Sequence, residues 1–172
     1  QFTETSPAVL IDVSAPTMDR LNEEIAKAVA ILESEGATHI NLVVDDAKSN
    51  ALWDVRKGFF ASGGAARPKG TAMLTEDVAA PIDKLADFVI DMRKLLDDFG
   101  YDDAIIFGHA LAGNLHFQMS DNFMEPGAAE KFDAFSKALS EFVSVRYSGS
   151  LKAEHGTGRA IAPFVERERG EK

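Results

Sequence analysis

Four histidines stand in the 172-residue chain, and His109, His116 and His155 sit among glycines. In Gly108-His109-Ala110-Leu111-Ala112-Gly113-Asn114-Leu115-His116, a hairpin centred on Ala112-Gly113 sets His109 directly opposite His116 on one face. Opposed residues hold their Cβ atoms about 4.5–5.5 Å apart. That is close enough for two imidazoles to share one divalent cation at bonds of about 2.1 Å. Gln118, two residues further on, shares that face. Two imidazoles leave a cation site incomplete, so a carboxylate is wanted. Glu154, in Lys152-Ala153-Glu154-His155-Gly156-Thr157-Gly158-Arg159, is the candidate, because flanking glycines let the backbone close on a ligand. A His2Glu set leaves coordination positions open, as catalytic metals require and structural ones do not. Without a metal, the same residues read as a polar hairpin pair and a solvated loop. His39 reads as structural.

The elements that must position these residues follow from periodicity. Ala8–Val13, behind Pro7, is a short apolar run with the pattern of a buried strand, and so is His39–Val44. Between them Met18, Leu21, Ile25, Val29 and Leu32 recur at steps of three and four, one face of a helix closed by Gly36. Ser49 to Phe60 reads as a shorter helix carrying Trp53, a core candidate, with Arg56 and Lys57. Ala61 to Gly70, with three glycines and a proline, reads as a loop. Ala72-Met73-Leu74 begins a strand, and Pro81 opens a helix with the apolar face Ile82, Leu85, Phe88, Met92, Leu96 and Phe99. After the hairpin, Phe132, Phe135, Leu139 and Phe142 mark a last long helix, followed by a polar, glycine-spaced tail. The order β-α-β-(α)-β-α-β-β-α predicts one α+β domain over residues 1–172, ferredoxin-like, with a mostly antiparallel sheet covered by helices.

Composition narrows the classes. Apolar residues make up 45% of the chain, enough for a proper core. Twenty-eight acidic against 18 basic residues give a net charge of −10, which argues against nucleic acid as a partner. With no cysteine, the chain itself holds no disulfide, thiol nucleophile or iron–sulfur ligand. No apolar run approaches the length of a membrane span. The expected setting is cytoplasmic, with peripheral contact at the inner face of a membrane as its variant. The chain begins at Gln1 and stops within a charged run, and the expectation is a piece of a longer polypeptide.

Four segments occur in order: Leu52-Trp53-Asp54-Val55-Arg56-Lys57-Gly58, Thr75-Glu76-Asp77-Val78-Ala79-Ala80-Pro81, the His109–His116 hairpin, and Gly149-Ser150-Leu151-Lys152-Ala153-Glu154-His155-Gly156-Thr157-Gly158. Together they resemble the C-terminal domain of FAD-linked oxidases acting on D-2-hydroxy acids, a family with D-lactate dehydrogenases, the glycolate oxidase flavin subunit and D-2-hydroxyglutarate dehydrogenase among its members. The resemblance runs from about Ala8 to Phe164. Leu-Lys-Ala before Glu154-His155 is similar to the large members fused to an iron–sulfur region.

The resemblance implies a cap, or substrate, domain whose FAD sits mainly in a separate domain of the same polypeptide, so that the fragment alone is catalytically incomplete. It implies zinc or manganese on His109, His116 and Glu154, and a 2-hydroxy acid oxidised to the 2-oxo acid. His155 is then the general base, Arg56 the partner of the substrate carboxylate through its planar fork, Gln118 an orienting amide, and Asn114 a turn-shaping or flavin-reaching residue. Lys57, Arg67 and Lys69 are further cationic candidates. The rival readings are a non-catalytic ferredoxin-like metal- or ligand-binding regulatory module and a stand-alone metal-dependent hydrolase.

Overall fold

Apolar and polar residues alternate in Asn114-Leu115-His116-Phe117-Gln118-Met119, and period-two alternation sends them to opposite faces of a strand. In the computed structural model, which describes residues 7–156 and 158–170, this segment is the central strand of a three-stranded antiparallel sheet. The elements are α1 (Met18–Ser34), α2 (Asp46–Ala66), β1 (Ala72–Ala79), α3 (Leu85–Asp98), β2 (Ile105–His109), β3 (Asn114–Asp121), α4 (Ala128–Glu141), α5 (Gly158–Ile161) and α6 (Val165–Arg169). Thr157 of the last sequence motif lies outside the described residues, as do the first six and last two positions. The α+β class is borne out. The chain divides into two compact units, Gln1–Phe59 and Phe60–Lys172.

In the first unit, Thr17 caps α1 by accepting from the Arg20 backbone N–H at 3.3 Å. Arg20–Glu23 and Lys27–Glu24 pairs line its exposed surface. The two strands expected here do not form: residues 8–13 and 39–44 carry no ladder among the described residues, and Val9, Leu10, Ile11, Leu42 and Val44 are exposed. A short apolar run becomes a strand only when another strand takes its N–H and C=O groups, and among the described residues neither run joins a ladder. Trp53, expected in the core, is half-buried on α2.

In the second unit the sheet order is β1-β3-β2. One face carries Leu74, Val78, Leu115, Phe117 and Met119, packed with Phe88, Met92 and Leu96 of α3 and Phe135 and Leu139 of α4 in one core. The other face carries Thr75, Asp77, Asn114, His116 and Gln118, paired as Thr75↔Gln118, Asp77↔His116 and Ala79↔Asn114.

The stretch expected as a loop from Ala61 is instead the last part of α2, which runs to Ala66. Its glycines serve close packing rather than a turn. A Cβ on Gly63 would fall 2.2 Å from Gln118 Oε1, and one on Gly64 would fall 3.1 Å from Met73 Sδ. The tail expected as polar folds into α5 and α6, and Leu151 and Ile161 join the core. Among the described residues no helix is long and apolar enough to cross a membrane.

Phe135 is fully buried and packs edge-on against Phe99, Tyr101 and Phe117, with ring centroids 5.5, 5.2 and 6.2 Å away. Phe135→Ala should cost about 3–5 kcal/mol in urea denaturation. Ile90→Ala, at an exposed site on α3, should stay within about 0.5 kcal/mol.

Candidate metal centre

The hairpin between β2 and β3 turns through Ala110–Ala112 and Gly113, whose φ of +65° suits glycine. A Cβ there would also meet the Ala80 carbonyl oxygen at 2.2 Å. Because four residues close the turn, His109 pairs with Asn114 and Phe107 with His116. His109 and His116 are therefore diagonal neighbours, not the directly opposed pair that a turn centred on Ala112-Gly113 predicts. The shift of two residues keeps both on the same face, and their ring centroids lie 5.4 Å apart.

The third element of the site is the loop after Ser150, tied to β1 by reciprocal Ala79–Ser150 backbone hydrogen bonds of 2.8 Å. Glu168 of α6 holds the same loop from behind, accepting from the Leu151 N–H at 2.8 Å and the Ser150 hydroxyl at 3.0 Å. This brings Glu154 and His155 to the two hairpin histidines. Glu154 Oε1 lies 3.0 Å from His116 Nε2, 3.3 Å from His109 Nε2 and 3.6 Å from His155 Nε2. The His155 ring stacks on His116 at 4.9 Å, nearly parallel.

These separations suit a cation. Bonds of about 2.1 Å in a tetrahedron hold their donor atoms roughly 3.4 Å apart, and His109, His116 and Glu154 offer one donor atom each within 4.8 Å of one another. His116 is 4% exposed, whereas His109 and Glu154 are about half exposed. One side of the cluster is thus open to a ligand. Burial holds the His116 imidazole below its ordinary pKa, with the His155 and His109 charges adding to the effect and Asp77 and Glu154 opposing it. The neutral ring is the form that ligates a metal.

Asp77 is the residue that sequence reasoning missed. It is 5% exposed on β1, opposite His116. Asp77 Oδ1 accepts from Asn114 Nδ2 at 2.6 Å, and Oδ2 accepts from the backbone N–H groups of Glu154 and His155 at 2.8 and 2.7 Å. His116 Nδ1 lies 3.0 Å from Oδ1 but off the line of a hydrogen bond, so that contact is electrostatic as it stands. The signal was the pattern around Val78: a core-facing valine sends Asp77 to the opposite face, but nothing local says which strand lies beside it.

Asn114 donates to Asp77 and to the Val78 carbonyl at 3.0 Å, so its amide nitrogen braces β1 from within. Gln118, 4% exposed, donates to the Phe60 carbonyl at 3.2 Å and lines a cavity of about 160 Å³ with Gly63, Arg67, Met73 and Ile105. Arg56, Lys57 and His39 lie in the first unit. Arg67 donates to the Gly64 and Thr71 carbonyls. Four buried polar atoms have no hydrogen-bond partner among the described residues: Thr75 Oγ1, Asn114 Oδ1, His116 Nδ1 and Gln118 Oε1. All four belong to the same face of the sheet.

On the opposite face of β1, burial and then the Asp77 charge raise the Glu76 carboxyl to about 7. The folded chain therefore holds that proton more tightly than the unfolded chain, and stability falls as pH rises from about 4.5 to about 7. Glu76→Gln removes this dependence. In thermal melts it should gain more over the unsubstituted chain at about pH 8 than at about pH 4.

Comparison with known proteins places this geometry in context. The family model described as FAD linked oxidases, C-terminal domain, matches residues 2–172. A putative mitochondrial D-lactate dehydrogenase of Schizosaccharomyces pombe is 30% identical over 91% of this chain and 30% of its own length. The glycolate oxidase subunit GlcD of Bacillus subtilis is 27% identical over 95% of this chain and 34% of its own length. A D-2-hydroxyglutarate dehydrogenase of Pseudomonas putida is 39% identical over 48% of this chain and 8% of its own length. The chain thus spans about a third or less of the length of these relatives.

Proposed function

The chain belongs to the family of FAD-linked oxidase C-terminal domains, and from that membership and the geometry of the cluster we propose that it is the substrate- and metal-binding domain of an FAD-dependent enzyme oxidising a D-2-hydroxy acid to the 2-oxo acid. The convergence of two imidazole nitrogens and a carboxylate oxygen on one point, open on one side and flanked by a third imidazole, carries this reading. His109, His116 and Glu154 hold a divalent cation, zinc or manganese. The FAD-binding domain of the same polypeptide is the partner, and residues 1–172 form the cap. Any iron–sulfur cluster belongs to residues outside this chain, which has no cysteine.

When bound, the cation supplies Lewis acidity toward the substrate's hydroxyl and carboxylate, and the flavin supplies the acceptor for the hydride. The chain's own residues do the rest. His155 takes the hydroxyl proton as general base. Asp77 Oδ2, 3.7 Å from His155 Nδ1, stabilises the imidazolium that results. Gln118, its amide set against α2 where Gly63 leaves room, is the orienting residue at the edge of the site. Asn114, whose Oδ1 takes no hydrogen bond among the described residues, is the residue of this chain assigned to the flavin.

His155→Ala, placed in the polypeptide that joins this chain to its flavin domain, should lower kcat by about 10²–10⁴ while the metal content stays unchanged. His116→Ala should lose both metal and turnover. Near-normal turnover in His155→Ala would remove the base assignment. Full metal content in His116→Ala would remove the cation site.

A further inference from the structure

Asp77 stands where the three parts of the cluster meet. It sits on β1, opposite His116 of β3, and beneath the loop that carries Glu154 and His155. That loop has little to hold it in place by itself. Its residues from Leu151 to Gly156 form no helix or strand, Ala153 has a φ of +21°, and its internal backbone hydrogen bond runs from the Gly156 N–H to the Lys152 carbonyl at 3.0 Å. A non-glycine residue at positive φ persists only where its surroundings over-determine it. Here two consecutive N–H groups point at one carboxylate oxygen, the arrangement of a backbone anion nest, and the anion is the chain's own buried Asp77.

A second group of donors, Asp77, His116 and His155, also lies within cation-binding reach. Hydrogen bonding decides against it as a site. Three donors already occupy the Asp77 oxygens. A His116 ring bound to a cation through Nε2 keeps its proton on Nδ1 and has no lone pair there for another.

We propose that Asp77 is a positioning residue. Its Oδ2 presets the Glu154–His155 loop before any cation arrives, and its Oδ1, beside His116 Nδ1, keeps that ring's proton on Nδ1 so that Nε2 faces the cation. The proposal rests on the reading of His109, His116 and Glu154 as the cation ligands, since positioning acts through them. Carboxylates behind ligating histidines typically carry about 10–100-fold in metal affinity.

The test uses the metal-free 172-residue chain, its Asp77→Asn and Asp77→Ala variants, and zinc as the probe. In the unsubstituted chain the Glu154 and His155 amides exchange slowly with solvent, and the ¹⁵N shifts of the His116 ring report the proton on Nδ1. In Asp77→Asn the amide oxygen still accepts from the loop, while the new NH2 faces His116 Nδ1. The ring proton then moves to Nε2, and zinc affinity falls about 10–100-fold with the two loop amides still protected. In Asp77→Ala both the loop protection and the zinc affinity are lost.

Fast exchange at both amides in the unsubstituted chain would overturn the proposal. So would an Asp77→Asn variant that binds zinc within about threefold of the unsubstituted chain. If the unsubstituted chain binds no zinc, the cation reading fails separately. Amide exchange and the ring shifts then decide the Asp77 proposal on the metal-free chain, and the Asp77→Asn comparison still applies if Asp77→Ala does not fold.

Discussion

The register of β1 against β3 is the constraint on which the rest of the second unit depends. Eight consecutive pairs, from Ala72↔Asp121 to Ala79↔Asn114, place Leu115, Phe117 and Met119 of β3 toward α3 and α4 and turn Asn114, His116 and Gln118 to the other face. A slip of one residue would turn His116 and Gln118 into the aromatic core and expose Phe117. The register is held from both sides. Phe117, Val78 and their partners are buried on one face, and Asn114 bridges to Asp77 and Val78 on the other. The same packing that stabilises the unit aims the imidazoles.

The polar face stores a cost. Each buried polar atom without a partner costs about 1–3 kcal/mol, and four such atoms sit on one side of the sheet. Asp77 is the exception, because its oxygens are met by three internal donors. One carboxylate is engaged within the fold, while Thr75 Oγ1, Asn114 Oδ1 and Gln118 Oε1 on the same face take no hydrogen bond among the described residues. Gly63 belongs to the same arrangement, since the absence of its side chain lets the Gln118 amide lie against α2.

Much of the second unit was legible in the sequence, and the reasons differ by element. Alternation in β3 and the three-and-four spacing in α3 and α4 read directly, because each is a local pattern answered by one core. His109, His116, Glu154 and His155 were legible through residue type and spacing, and the structure brings them together. The hairpin register was misjudged by two residues because the turn is four residues long and partly helical, which Ala110-Leu111-Ala112 does not announce. Gly63 and Gly64 read as loop glycines because their packing partners, Gln118 and Met73, are distant in sequence. Asp77 was missed for the same reason, since its role comes from pairing with β3 and from a loop 77 residues away. The apolar runs 8–13 and 39–44 look like strands locally, but a strand is a property of a pair.

The central claim is that His109, His116 and Glu154 form a cation site. Anomalous diffraction from crystals of the chain grown with zinc tests it most directly. The account predicts one strong peak about 2.1 Å from His109 Nε2, His116 Nε2 and a Glu154 carboxylate oxygen. No peak within reach of those three groups at saturating zinc, or a peak bonded instead to Asp77, would contradict it.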